Sequence, residues 1–365
     1  MRVLVTVPSQ ELLGGVAIYY RELRKYLPAQ AEYFVVGARG PQEGFAQTLL
    51  RLFTDCRHFV AKLRQGQYDL VHINPSLTCK AVIRDGMLLL LAHLLGHKVL
   101  VFFHGWDKHC EALVARYFRL FFRLVYFRAN AIIVLAEEFA GRLRELGFDG
   151  PIHVETTVAG DWIIERSECQ RLPKGHERLE TCHILYMSRF EADKGAPETL
   201  EIFKLLKATH PKISLTMAGD GSGLESARYF VAQHHLADVS LPGRVDGDDK
   251  ASLLVHSNIF FFPTNYGEGM PLAVLEAMAA GLPVVTCKVG GIRDFFEDGV
   301  MGFSTESVSI PQLSAHLETL ITNPSLRQRM GAHNRAYAKE RFAASRVAAR
   351  LVDIYRSTIG DAKPN

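Results

Sequence analysis

Two carboxylates stand out by their spacing. In Tyr266-Gly267-Glu268-Gly269-Met270-Pro271-Leu272-Ala273-Val274-Leu275-Glu276, seven residues separate Glu268 from Glu276. Pro271 suits the first turn of a helix, where its missing N–H has no partner to lose. Gly281 suits the helix stop, and Pro283 prevents continuation. Glu268 is therefore expected in a Gly-flanked loop and Glu276 on the helix. From Pro271 to Glu276 such a helix rises roughly 7–8 Å, at ~1.5 Å per residue. The free N–H groups and positive dipole end at its start form a seat for phosphate. A carboxylate about a turn and a half further in can bond two neighbouring hydroxyls of a ribose. A carboxylate in the loop can bond a sugar on the far side of a diphosphate. The pair matches the shape of a nucleotide sugar; the alternative is a solvated helix face and an ordinary turn.

Positive charge stands in a second cluster, Ser188-Arg189-Phe190-Glu191-Ala192-Asp193-Lys194-Gly195, just after an apolar run at 183–187. A diphosphate leaving group needs cations as its bond to the sugar breaks. Arg189 offers a bidentate fork and Lys194 a movable point charge. The alternative is surface charge before a helix. Gly14-Gly15 lies between the first strand and first helix, where backbone can approach a phosphate or sugar closely. His104, in Phe103-His104-Gly105-Trp106-Asp107, follows another apolar run. It can bond the transferred sugar or stabilise charge near the anomeric carbon.

These residues need strand ends to carry them. Short apolar runs at 3–7, 33–36, 70–73, 99–103 and 131–135 read as strands buried on both faces. Between them lie amphipathic stretches at 16–27, 45–63, 81–95, 111–127 and 137–146. The rhythm implies a parallel sheet covered by helices. It pauses over 161–181, a polar stretch with Pro173 and Gly175 that reads as a linker. It restarts with strands at 183–187, 213–218, 239–241, 259–262 and 283–286, and helices at 197–208, 224–235, 250–256 and 271–280. Helices alone follow from 311. The expected fold is α/β, two Rossmann-like doubly wound domains facing each other across a cleft. The first covers 1–165, with a C-terminal helix near 343–360 packing back on it; the second covers 178–342. Ligands in such sheets bind outside the carboxyl ends of the strands.

Together the residues resemble glycosyltransferase family 4, retaining enzymes of the GT-B class. The resemblance rests on Glu268 and Glu276, Arg189 and Lys194, Gly14-Gly15, His104, Ala218-Gly219-Asp220-Gly221 and Leu241-Pro242-Gly243-Arg244-Val245. It implies that Arg189 and Lys194 hold the diphosphate and Glu276 the ribose. Glu268, Gly269, Met270, Pro271 and Leu272 would hold the sugar and phosphate. The backbone at Arg244 and Val245 would meet the base, and Gly15 would close over the phosphates. It also implies no metal cofactor, a nucleoside-diphosphate sugar donor (UDP favoured over GDP) and a saccharide or lipid-linked acceptor. Polysaccharide, lipopolysaccharide or glycolipid biosynthesis is the expected setting.

Composition narrows the alternatives. The 365 residues are 48% hydrophobic and 22% charged, enough for two packed cores. A net charge of +3 leaves no global footprint for nucleic acid. The six cysteines form no C-x-x-C pair, which fits a reduced, cytoplasmic setting. The longest apolar stretch, 87–103, is interrupted by His93, Gly96, His97 and Lys98, so no spanning helix is expected. His93 and His97 have helical metal spacing, but Gly96 ends that helix between them. The acidic run at 246–249 is read as a helix start capped by Asp248. Residues 112–128 hold four arginines and six aromatics. Arg116, Arg119 and Arg123 share a helical face, and such a helix can lie on an anionic membrane surface. Its alternative is a core helix with arginines in water. Rival functions are a nucleotide-sugar epimerase, which would convert donor without acceptor, and a non-catalytic nucleotide-sugar-binding protein, which has little need of cations at a leaving group.

Overall fold

The computed structural model describes residues 1–9, 14–38, 44–170, 181–191, 193–267 and 269–360. The chain divides into two compact units. Unit 1 holds Met1–Thr157, Gly267–Met270 and Ala344–Asn365; unit 2 holds Val158–Tyr266 and Pro271–Ala343.

Unit 1 alternates strands and helices in chain order: β1 (Val3–Val7), α1 (Gly15–Leu23), β2 (Ala31–Val35), α2 (Phe45–Gln65), β3 (Leu70–Ile73), β4 (Ser76–Leu77), α3 (Cys79–Leu94), β5 (Lys98–Phe102) and β6 (Gly105–Trp106). Then come α4 (Lys108–Leu113), α5 (Arg119–Val125), β7 (Ala131–Val134), α6 (Glu137–Leu146) and β8 (Ile152–Val154). The main sheet is parallel, in the order β2-β1-β3-β5-β7-β8. The inner strands β1, β3 and β7 are buried end to end, as near-continuous apolar runs demand when helices cover both faces. β4 and β6 form a separate two-stranded ribbon.

Unit 2 opens with α7 (Asp161–Gln170) and then runs β9 (Cys182–Met187), α8 (Ala196–Thr209), β10 (Ile213–Ala218), α9 (Leu224–Gln233), β11 (Val239–Gly243), α10 (Gly247–His256), β12 (Ile259–Phe262), α11 (Leu272–Ala279) and β13 (Val284–Cys287). It ends with α12 (Ile292–Phe295), β14 (Gly302–Thr305), α13 (Ile310–Thr322) and α14 (Pro324–Arg341), after which α15 (Ala344–Ile359) returns to unit 1. The unit 2 sheet is also parallel, in the order β11-β10-β9-β12-β13-β14. Consecutive strands step away from β9 in one direction, and then β12 adds on its other side. The sheet thus reverses direction between β9 and β12. In unit 1 the reversal falls between β1 and β3. Outside the carboxyl ends at such reversals the loops splay apart and leave room for a ligand.

Three expectations need correction. The linker expected from 161 begins instead as a helix: Ile163, Ile164 and Ser167 of α7 are buried, and Ser167 Oγ donates to the Ile164 carbonyl at 2.8 Å. The expected boundary at 165 falls inside it, and residues 171–180 lie outside the described residues. The single helix expected over 111–127 is broken by a π-helical turn at Val114–Phe118 and closes in a 3-10 turn at Tyr126–Arg128. The cap of α10 is Asp246, whose side chain accepts from the Gly247 amide at 2.9 Å. Asp248 pairs with Arg166 instead.

Candidate functional site

In unit 2 the expected residues follow the carboxyl ends of three strands, β9, β11 and β12. Arg189 and Lys194 follow β9, Arg244 and Val245 follow β11, and Pro271, Leu272 and Glu276 follow β12. Backbone bonds fix these loops. The Phe190 amide donates to the Asp220 carbonyl at 2.6 Å, and the Gly223 amide donates to the Phe190 carbonyl at 2.8 Å. The β9 loop is thereby laid on the β10 loop. Glycine is obligatory at that crossing: at Gly219, with φ of 151°, a Cβ would stand 1.8 Å from the Ser188 carbonyl oxygen. Arg189 projects from the laid-down loop and is exposed. Arg244 is exposed too, with a long ion contact of 4.0 Å to Asp220, and Val245 is half-buried.

The β9 loop is tied on its other side to the loop after β12. The Asp193 carbonyl accepts from the amides of Asn265 (2.9 Å) and Tyr266 (3.0 Å) and from Thr264 Oγ1 (3.1 Å). Asp193 itself sits at φ of 67°, a cost that three hydrogen bonds offset. Gly195 follows at φ of 82°, where a Cβ would meet the Pro263 carbonyl oxygen at 2.1 Å. Lys194 is trapped between these two positions. It is only 6% exposed, and its Nζ stands 3.8 Å from the centroid of the Tyr266 ring. An ammonium stacked on an aromatic face lies where a small displacement meets an incoming anion. This cation lies at the reversal point of the sheet.

Helix α11 begins one residue later than expected: Pro271 is its N-cap, with an extended backbone. The first amides of α11, at Leu272 and Ala273, point away from the helix and need an acceptor. Glu276 is buried on the helix at 6% exposure, but it is not waiting alone. Lys250 Nζ of α10 donates to Glu276 Oε1 at 2.6 Å, and Lys250 is 7% exposed. The sequence reading missed Lys250. The signal was present, since Lys250 lies one helical turn from the buried Leu254, and so puts a charge on an apolar face.

Unit 1 carries the rest. Gly14 caps α1 and Gly15 opens it; both are exposed. Gly269 and Met270 belong to this unit, and Glu268 lies outside the described residues. A Cβ on Gly269 would stand 2.9 Å from Leu135 and 3.2 Å from the His104 carbonyl oxygen, and Thr157 Oγ1 donates to the Met270 carbonyl at 3.1 Å. The structure thus brings Gly269 and His104 together.

His104 is half-buried and held by groups the sequence reading did not single out. Asn74, after β3, donates through Nδ2 to the Thr6 carbonyl of β1 at 2.8 Å. This turns Asn74 Oδ1 toward Tyr20 of α1, whose hydroxyl donates to it at 2.7 Å, and toward His104 Nε2 at 2.9 Å. A carbonyl oxygen only accepts, so Nε2 carries the proton and Nδ1 offers a lone pair. Burial pushes the His104 imidazole down to about 3. It is neutral at pH 7, with the Nδ1 lone pair available to accept from a hydroxyl.

His72 of β3, fully buried against Tyr355 of α15 at 2.8 Å, is likewise held well below its ordinary 6.5 by burial, with neighbouring His104 a smaller cause. Both imidazoles take up protons more readily in the unfolded chain. Their contribution to stability is complete above about pH 6.5 and is lost as pH falls below it, toward the depressed folded values. Unfolding experiments on unit 1 residues are expected to show stability falling from pH 6.5 to 5, by up to about 1.4 kcal/mol per pH unit for each imidazole. His72→Gln should make that slope shallower; an unchanged slope would refute the assignment.

Among the described residues, no group of three His, Cys, Asp or Glu side chains is placed to hold a metal ion. His93 and His97 are engaged separately, with Arg128 and the Tyr68 carbonyl.

Residues 172–337 match the family model described as glycosyl transferases group 1, and residues 14–155 match the glycosyl transferase 4-like domain. Glycogen synthase of Mycobacterium tuberculosis (strain ATCC 25618 / H37Rv) is 28% identical over 209 residues, 56% of this chain and 49% of that protein. The match therefore spans about half the length of that relative. The glycosyltransferase YqgM of Bacillus subtilis is 25% identical over 306 residues, 81% of this chain and 80% of its own. The crystal structure of Anabaena Alr3699/HepE in complex with UDP and glucose superposes with a TM-score of 0.72 at 16% identity, covering 98% of this chain and 100% of that one. Residues 14–155 are thus similar to the glycosyl transferase 4-like domain and residues 172–337 to glycosyl transferases group 1, and the fold is that of GT-B proteins.

Proposed function

We propose that the chain transfers a sugar from a nucleoside-diphosphate sugar to a hydroxyl of a saccharide or lipid-linked acceptor, with retention of the anomeric configuration. The observation that carries this reading is Lys194, a buried cation fixed over Tyr266 at the reversal point of the unit 2 sheet. A protein that only bound nucleotide sugars would have little use for it. Arg189 and Lys194 take the charge that grows on the diphosphate as the anomeric C–O bond breaks. The nucleoside diphosphate leaves with the electron pair, the acceptor oxygen bonds the anomeric carbon on the same face, and its proton passes to a diphosphate oxygen. Glu276 bonds the ribose hydroxyls, and the α11 amides meet phosphate. Glu268, with the backbone from Gly269 to Leu272, holds the sugar, and neutral His104 accepts from a sugar hydroxyl through Nδ1. The backbone at Arg244 and Val245 meets the base, and Gly14-Gly15 closes over the phosphates. The two side-chain cations stand where a metal ion would otherwise be needed. UDP is favoured over GDP, which the UDP in the HepE complex supports. The glycogen synthase match supports a role in polysaccharide biosynthesis.

A panel of UDP- and GDP-sugars is to be screened for nucleotide release with saccharide acceptors, and the product linkage read by the coupling of its anomeric proton. Release that depends on acceptor, with retained configuration, is expected. Conversion of donor to an epimer without acceptor, or an inverted linkage, would overturn the reading.

A further inference from the structure

The broken helix of unit 1 leaves an unusual surface. Four large apolar side chains stand in solvent within eight residues: Tyr117 (65% exposed), Phe118 (50%), Leu120 (69%) and Leu124 (52%). The π-helical turn is responsible. It adds a residue to one turn and shifts the phase of the helix, so that five consecutive residues from 116 to 120 are exposed. The opposite side remains anchored, because Val114, Phe122, Val125 and Tyr126 are buried in the core of unit 1. The apolar band is therefore displayed by a firmly seated element.

Neighbouring helices also expose apolar groups. α3 packs beside α5, with a Cβ on Gly86 standing 3.1 Å from Val125 and 3.4 Å from Phe121. On the outer side of α3, Ile83 is 55% exposed and Met87 38%. α2 packs on α3 in turn and exposes Phe53 at 61%. Isolated exposed apolar groups are ordinary, but a clustered patch marks an interaction surface.

Charge identifies the occupant. Arg116, Arg119 and Arg123 are exposed among the apolar groups, and residues 112–136 contain no Asp or Glu. A second copy docked on the same face would set these arginines against their own counterparts. Tyr117 lies beneath Arg116, whose guanidinium carbon stands 5.2 Å from the ring centroid. Aromatic rings, short aliphatic groups and arginines on one face suit the boundary between lipid head groups and acyl chains. No helix among the described residues is long and apolar enough to cross a membrane. We propose that this face docks peripherally on an anionic lipid bilayer, with Arg116, Arg119 and Arg123 on the head-group phosphates and Tyr117, Leu120 and Leu124 inserted beside them. The inference does not depend on the transfer reaction, and its test reads binding alone.

The full chain is to be co-sedimented with vesicles of phosphatidylcholine alone and of phosphatidylcholine mixed with phosphatidylglycerol. Binding is expected only to the anionic vesicles and is expected to weaken at about 1 M salt, where the screening length falls to about 3 Å. Replacing all three arginines, Arg116→Ser, Arg119→Ser and Arg123→Ser, should lower the partition coefficient roughly 100-fold. The pair Leu120→Ser and Leu124→Ser should lower it while leaving charge unchanged. Circular dichroism and nucleotide release from soluble substrates should be unaltered in both variants. The proposal fails if wild-type protein stays in the supernatant with anionic vesicles, or if the arginine variant binds as well as wild type. It also fails if light scattering shows a dimer that the leucine variant abolishes while vesicles remain unbound.

Discussion

Lys194→Ala is expected to lower kcat/KM for the donor sugar by roughly 100- to 1,000-fold, the loss that follows removal of one preorganised donor at a developing anion. At 6% exposure the ammonium is shielded from water, and its attraction for a leaving diphosphate is correspondingly strong. Its position is set by backbone bonds around Asp193 and by the close approach of Gly195 to Pro263, none of which involves the lysine side chain. The variant should therefore fold like wild type by circular dichroism and thermal unfolding. Lys194→Arg keeps the charge but not the fit over Tyr266, and should fall between the two. Nucleotide release from Lys194→Ala at near-normal rates would count against the role assigned to this cation.

The second large effect concerns the Lys250–Glu276 pair. Both groups are buried, and removing one partner strands the other charge in the interior. Lys250→Met alone should cost about 3–5 kcal/mol of unit 2 stability. Replacing both, Lys250→Met with Glu276→Leu, removes the stranded charge and should restore most of that loss, since apolar groups of similar volume commonly replace buried ion pairs without penalty. Donor binding should separate the variants in another way. The double variant should be stable yet bind UDP weakly, because the ribose has lost its carboxylate. Urea unfolding gives the first quantity and calorimetric titration with UDP the second. A double variant that binds UDP like wild type would make the pair purely structural.

Much of this architecture was legible in the chain because parallel strands buried on both faces announce themselves as apolar runs. β1, β3 and β12 coincide with the runs that predicted them. The strands that were missed are those without such a run. Ile152–Val154 of β8 is half-buried throughout, and β14 is buried only at its two ends. Edge positions relax the pattern that betrays an inner strand. α7 was hidden by its charges, being anchored through two isoleucines and a serine. The site was partly legible for a related reason. Arg189, Lys194 and Glu276 lie close to strand ends and glycine turns that local rules identify. Lys250, Asn74 and Tyr20 matter only through partners 26 to 54 residues away, and no local pattern links Tyr20 to Asn74. The π-helical turn is likewise the result of tertiary packing, with a core side and a solvent side out of phase with a regular helix.

The central claim is that unit 2 gathers one sugar diphosphate at the carboxyl ends of β9, β11 and β12. A crystal structure of the protein with UDP bound tests it most directly. The account predicts diphosphate oxygens within hydrogen-bonding distance of Arg189 and Lys194, with the ribose hydroxyls on Glu276. UDP seated away from these three side chains, with Glu276 still paired to Lys250, would contradict it.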